Sequence, residues 1–189
     1  MKKLLLLFVS MSLFVSCSDD NGETLVDVDA SEIVGKWDLI ELTANGKSTN
    51  ETLGQSVETE FSTLGKDFDF EVEFTNNPQN VTGTGSYNSV VTYTALGQTT
   101  TEVIPTTTAN GLEDATWDVN GGILKITPSI QTALNLASDA KIIEFDGEKM
   151  RLKFDINQSA EGEEQGISFK ISATGTAYLT LKKQVSTAL

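Results

Sequence analysis

The chain carries one thiol, Cys17, and no histidine. The missing imidazole removes Ser-His-Asp and Cys-His catalysis, histidine acid/base work and most zinc or non-haem iron sites. Carboxylates are the chemistry that remains, 27 acidic residues against 13 basic ones. Two of them flanking a sugar could act as acid and base, but no pair is marked by its neighbours as buried. The row Asp67, Asp69, Glu71, Glu73 has alternate strand positions ~6.6–7 Å apart, too far to share a calcium ion at ~2.4 Å without another strand. It describes a solvated strand face. Glu161, Glu163 and Glu164, with Gly162 and Gly166, read as an acidic loop without the aspartate spacing of a calcium site. Neither catalysis nor a metal or cofactor is expected.

Cys17 stands at the end of a leader. Met1-Lys2-Lys3 precedes the apolar run Leu4–Val9, and small and apolar residues continue to Ser16. A basic start, a short apolar core and small residues before a cut site describe a secretory signal, and the run falls short of the ~20 residues of a membrane span. A secreted chain with one cysteine makes no internal disulfide. Val15-Ser16-Cys17 resembles the lipobox of bacterial lipoproteins. The resemblance implies lipid on the Cys17 sulfur, with Cys17 the new N-terminus. Each buried methylene of such an anchor contributes ~0.8 kcal/mol. Ser18-Asp19-Asp20 resembles the acidic tag of surface-exported lipoproteins of Bacteroidetes-type bacteria.

The expected organisation is a signal peptide over 1–16, a lipidated acidic tether over 17–31 and one folded domain over 32–189. The tether would reach up to ~45 Å at ~3.3 Å per residue. The expected location is the cell envelope, as an outer-membrane lipoprotein held to the membrane by its lipid. Loss of Lys2 and Lys3 with the leader makes the net charge two units more negative than −14. A chain this acidic repels nucleic acid and anionic membrane surfaces.

The elements that must position any site are strands. Phe68, Phe70, Val72 and Phe74 alternate with the acidic row, and Met150, Leu152, Phe154 and Ile156 alternate with polar residues. Ile167, Phe169, Ile171 and Ala173 do the same. Half-buried antiparallel strands have this period of two. Further strands are expected over 33–43, 80–95 and 99–105, the last two joined at Leu96-Gly97-Gln98. Asp146-Gly147 predicts a two-residue hairpin loop that sets Ile143 opposite Met150. Trp117–Leu124 predicts a second hairpin through Asn120-Gly121 or Gly121-Gly122, and only the Gly-Gly register sets Asp118 against Lys125. A three-residue turn at Thr174-Gly175-Thr176 would set Ile171 opposite Leu179. Leu53, Val57, Phe61 and Leu64 predict a helix over 50–64, and Pro128 to Ala137 a weaker one. Eight or nine such strands can close into a barrel, with a sandwich as the alternative.

Ile33-Val34-Gly35-Lys36-Trp37 resembles the Gly-x-Trp opening of lipocalins. With Asn45-Gly46 and an all-strand meander behind a lipoprotein signal, residues 32–183 resemble the lipocalin-like domain lipoproteins of Bacteroidetes-type bacteria. The resemblance implies an up-and-down β-barrel binding a small apolar molecule, with Gly35 and Trp37 at its closed end. In lipocalins a final-strand arginine packs on that tryptophan; here Lys182 or Lys183 stands in its place. Arg151, the only arginine, faces outward by alternation, so a ligand would be neutral rather than a carboxylate held on internal arginine. Phe68, Phe70, Phe74, Tyr87, Tyr93, Trp117, Phe154 and Phe169 are the candidate lining; the other reading makes them ordinary core. The helix near 50–64 would cap an open mouth or plug a solid barrel. The expected functions are ligand binding in a cavity or, with a solid core, recognition of a protein or glycan through surface loops.

Overall fold

The computed structural model describes residues 24–107, 112, 115–128, 139–164 and 167–185. After a four-residue helix, α1 (Ala30–Ile33), the chain forms nine strands: β1 (Gly35–Thr52), β2 (Gln55–Phe74), β3 (Asn80–Ala95), β4 (Gln98–Thr107), β5 (Ala115–Asn120), β6 (Ile123–Thr127), β7 (Asp139–Phe145), β8 (Lys149–Glu164) and β9 (Ile167–Lys183). The sheet order is β2-β1-β9-β8-β7-β6-β5-β3-β4, and β2 also pairs with β3. Every pairing is antiparallel. Eight strands therefore form a ring of hydrogen bonds. The ninth, β4, folds out beside β3: it pairs along Ser86–Ala95, while β5 meets β3 only at Asn80 and Val81.

Strand lengths are unequal. β5, β6 and β7 have 6, 5 and 7 residues, whereas β1, β2, β3, β8 and β9 have 16 to 20. Typical strands have about 5–6. The ring is thus complete only at one end, and the long hairpins β1–β2, β3–β4 and β8–β9 extend beyond it.

The complete end holds the core. Trp37, Leu39, Phe74, Trp117, Ile142 and Met150 are all buried there. Burying side chains of this size stabilises by about 2–3 kcal/mol each. The alternation read in the sequence carries this packing: Val72 and Phe74 are buried, with Phe68 and Phe70 packed on the core. Met150 and Leu152 are buried in the same way.

Several expectations need correction. Residues 50–64 are strand, not helix: they are the ends of β1 and β2 around a Leu53-Gly54 turn with φ of 54° and 73°. Positive φ at both central residues matches the twist of a hairpin. Val57 and Phe61 lie four apart, a spacing that a period of two satisfies as well as a helix does. No turn forms at 174–176, since β9 runs straight through Gly175, which faces Gly46. Ile171 pairs with Asn50 and Ala160, not Leu179.

The Asp146 hairpin shifts by two residues, pairing Phe145 rather than Ile143 with Met150. A bulge then sets Ile142, not Ile143, against Leu152. The Asp146 side chain accepts the amides of Glu148 (2.9 Å) and Lys149 (2.6 Å), which fixes the shifted turn. The acidic stretch is not a loop: Glu161 and Glu163 belong to β8, and Glu161 pairs with Lys170 at 2.8 Å.

The Gly121-Gly122 hairpin has the expected register, with Asp118 opposite Lys125. Strand 33–43 is longer than expected, and 80–95 and 99–105 correspond to β3 and β4. The helix expected after Pro128 lies outside the described residues. The folded body begins before residue 32, for the Val26 amide donates to the Ile142 carbonyl at 2.9 Å and Val28 is buried.

Candidate functional site: a cavity above a closed end

The closed end is built on Trp37. Its indole N–H donates to the Ile33 carbonyl at 2.7 Å, and the ring is fully buried. Lys183 Nζ lies 5.2 Å from the ring centroid and donates to the Glu32 carbonyl at 2.7 Å. The lysine stands over the indole as a cation over a π face. Helix α1, with Ile33 fully buried, sits against this end. Gly35 has φ of 129°, a conformation that excludes a side chain at low cost.

Above this floor the strands line a cavity of about 930 Å³ that opens to solvent. Leu39, Val72, Phe74, Leu152 and Leu181 form its base. Ile40 is the extra residue of a bulge between β1 and β9, so Leu39 and Leu42 both line the cavity while Ile40 is exposed. Higher up, inner positions turn polar: Thr63, Ser89, Thr106 and Gln158. Three described lining residues are charged, Asp139, Lys141 and Asp155. Lys141 Nζ donates to Asp155 at 2.6 Å, and both side chains are substantially exposed.

The eight candidate aromatics divide. Phe70, Phe74, Tyr87 and Phe154 line the cavity. Trp117 is buried beneath it, edge-on to Phe74 at 5.4 Å, its N–H donating to the Thr75 carbonyl at 2.9 Å. Phe68 contacts Tyr87 at 6.0 Å and borders a separate cleft of about 640 Å³ beside Asp38, Asp69 and Gln184. Tyr93 and Phe169 sit on the long hairpins, paired with Phe61 and Gly162. The aliphatic half of the lining, Leu39, Leu42, Leu179 and Leu181, is missing from the aromatic list. Its signal was available: Leu179 and Leu181 alternate along β9 once the turn at Gly175 is set aside.

The chemistry open to the cavity is limited. Asp155 is held below the usual carboxylate range, first by its hydrogen bond to Lys141. A glycosidase acid needs the opposite shift. Burial pushes the Tyr87 phenol up, against the lowering effect of its bond to Thr106, so it stays neutral at ordinary pH. Among the described residues no group of three or more acidic or other metal-ligating side chains is gathered to hold a cation. The Glu71 row instead engages Lys36 and Gln184. Arg151 faces away from the cavity, over the Tyr178 ring at 5.2 Å and 3.3 Å from Glu144. No helix among the described residues is long and apolar enough to cross a membrane. No protein-family model, curated protein or solved structure matches the chain.

Proposed function

We propose that this chain is a non-catalytic, lipocalin-like envelope lipoprotein, anchored through lipid on Cys17, whose cavity binds one small, neutral, largely apolar molecule. The cavity carries this reading. Its volume of about 930 Å³ lies within the usual ~300–1,000 Å³ of small-molecule sites. Its base is aliphatic and aromatic, and its one described lining cation is paired with Asp155. A buried carboxylate ligand would lack a partner there, and burying an unpaired charge is costly.

Native mass spectrometry of the protein purified from its own host tests the binding. A retained mass of one apolar molecule per chain is expected, and a ligand-free chain under mild conditions counts against it. The anchor is tested by Cys17→Ser, which should move the protein out of the membrane fraction; unchanged fractionation refutes lipidation.

One observation favours a second reading, in which the hairpins recognise a protein or glycan. Val57, Ile104, Ile167 and Ile171 lie on the inner face of the extended hairpins and are 39–42% exposed. If no ligand is retained, this face is the next place to look for a partner.

A further inference from the structure

The strand pairing that walls the cavity is interrupted between β1 and β2. We propose that the apolar ligand enters and leaves through this interruption, a side opening gated by the Phe68 ring. This rests on the reading of the cavity as a ligand site.

The first observation is the pairing itself. β1 and β2 are in register from Gly35 and Phe74 to Asp38 and Glu71, and again from Thr43 and Leu64 to Thr52 and Gln55. Between these stretches, residues 39–42 of β1 and 65–70 of β2 are not paired with each other. Each strand also bulges against its other neighbour at this level, β1 at Ile40 against β9 and β2 at Asp67-Phe68 against β3. Asp67 has a φ of 52°, and its carboxylate accepts the Asn88 side-chain amide at 2.9 Å, which holds the β2 bulge in place. Bulges end pairing and re-aim side chains, and they are common beside functional sites.

The second observation is what lies on either side of the interruption. Outside is the cleft of about 640 Å³, bordered by the exposed Ile40. Inside is the base of the cavity. Leu39 and Phe70 line both spaces, so side chains rather than paired backbone divide them there. Phe68 borders the cleft, and its ring lies over Gly65, where an added methyl would come 2.5 Å from the ring Cζ and 2.9 Å from Leu42 Cβ. Leu42 lines the cavity, as does Tyr87, whose ring centroid is 6.0 Å from that of Phe68. The half-buried Phe68 ring thus stands between cleft and cavity. Side-chain rotation is fast and requires no strand to separate. Phe68 itself lies outside the cavity lining, so its loss alters the barrier to exchange and not the bound state.

Stopped-flow fluorescence with N-phenyl-1-naphthylamine, a neutral apolar probe, tests this on the chain from residue 17 carrying Cys17→Ser. Phe68→Ala should quicken association and dissociation together by at least fivefold, with Kd within threefold of the parent. Ile40→Trp, a change at an exposed position of the cleft, should slow both rates several-fold, and it decides the matter alone if Phe68→Ala does not fold. Rates within twofold of the parent in the variants that fold overturn the side opening and leave the cavity reading standing. A Phe68→Ala variant that only dissociates faster places the ring against the ligand and also overturns the gate. If the probe does not bind the parent, the cavity reading falls and the side opening with it.

Discussion

Phe169 of β9 lies across Gly162 of β8, its cross-strand partner, so closely that a methyl group on Gly162 would come 2.5 Å from the ring Cζ. The arrangement recurs. A methyl on Gly46 would meet Phe61 Cζ at 2.7 Å, one on Gly65 would meet Phe68, and one on Gly83 would meet Phe70 at 2.8 Å. Glycine weakens a strand because it has nothing to pack. A neighbouring ring laid over it restores that packing, the device called aromatic rescue in designed sheets. Strands of up to 20 residues projecting beyond a core need such local support.

Gly162→Ala should therefore destabilise the fold by about 1 kcal/mol, since the ring must move. In a Phe169→Ala background the same change should stabilise by about 0.5 kcal/mol, because alanine orders a strand at lower entropic cost than glycine. A urea-unfolding double-mutant cycle reads the change of sign. An unchanged sign would mean that the ring does not restrict the site.

Gly46→Ala should behave differently. Its methyl would run into the Thr174 carbonyl oxygen as well as Phe61. Backbone cannot swing aside, so a loss of about 3 kcal/mol is expected, and Phe61→Ala should not rescue it. Equal rescue at positions 46 and 162 would show that the close approach of Gly46 to Gly175 is not limiting.

The contact between Lys183 and Trp37 makes a third case. Lys183→Ala removes a cation from the indole face and a donor from the Glu32 carbonyl. A loss of about 1–2 kcal/mol follows. Lys183→Met keeps the length of the stem and removes the charge, so it should lose nearly as much. Thermal unfolding of both variants measures this; a methionine variant as stable as the parent would assign the lysine's role to packing alone.

Much of this architecture was legible because alternation reports burial directly. Phe74, Leu152 and Met150 are core for the reason their spacing gives. What alternation does not report is where a strand stops. Gly175 looks like a turn until Gly46 is known to lie opposite it, and that pairing joins residues 129 positions apart. The Leu53-Gly54 turn was hidden for the converse reason: apolar residues four apart satisfy both periods, and a leucine at positive φ is uncommon. The site was legible by half. Aromatic rings were expected to line the interior, yet Phe169 lies over a glycine and Trp117 below the floor. Leucines of β1 and β9 take the lining positions because the bulge at Ile40 re-aims β1. A bulge of this kind leaves no mark in the hydrophobic pattern alone.

Acid should loosen the closed end before the core. Glu71 is held below its ordinary value of 4.5 first by its hydrogen bond to Lys36 and next by that to Gln184. Both bonds are 2.7 Å long, and Gln184 also donates to Asp38 at 2.7 Å. The carboxylate thus ties the start of β1, the end of β2 and the segment after β9. A carboxyl group whose folded pKa is depressed contributes stability above its unfolded pKa and loses it as pH falls through the folded value. The contribution is therefore complete above about pH 4.5 and disappears below it, as Glu71 binds a proton. Lys36 is raised by the same partner, so its share is complete below its ordinary value of 10.5 and is lost only in strong alkali. Glu71→Gln should flatten the acid side of the stability curve and leave the core melting transition cooperative. The protection factors of the amides of Lys183 and Gln184, which donate to the carbonyls of Glu148 and Lys36, should fall as the pH is lowered from about 6 to below about 4.5, once the slower intrinsic exchange in acid is corrected for. An identical pH response in the parent and in Glu71→Gln would show that another group carries the acid sensitivity.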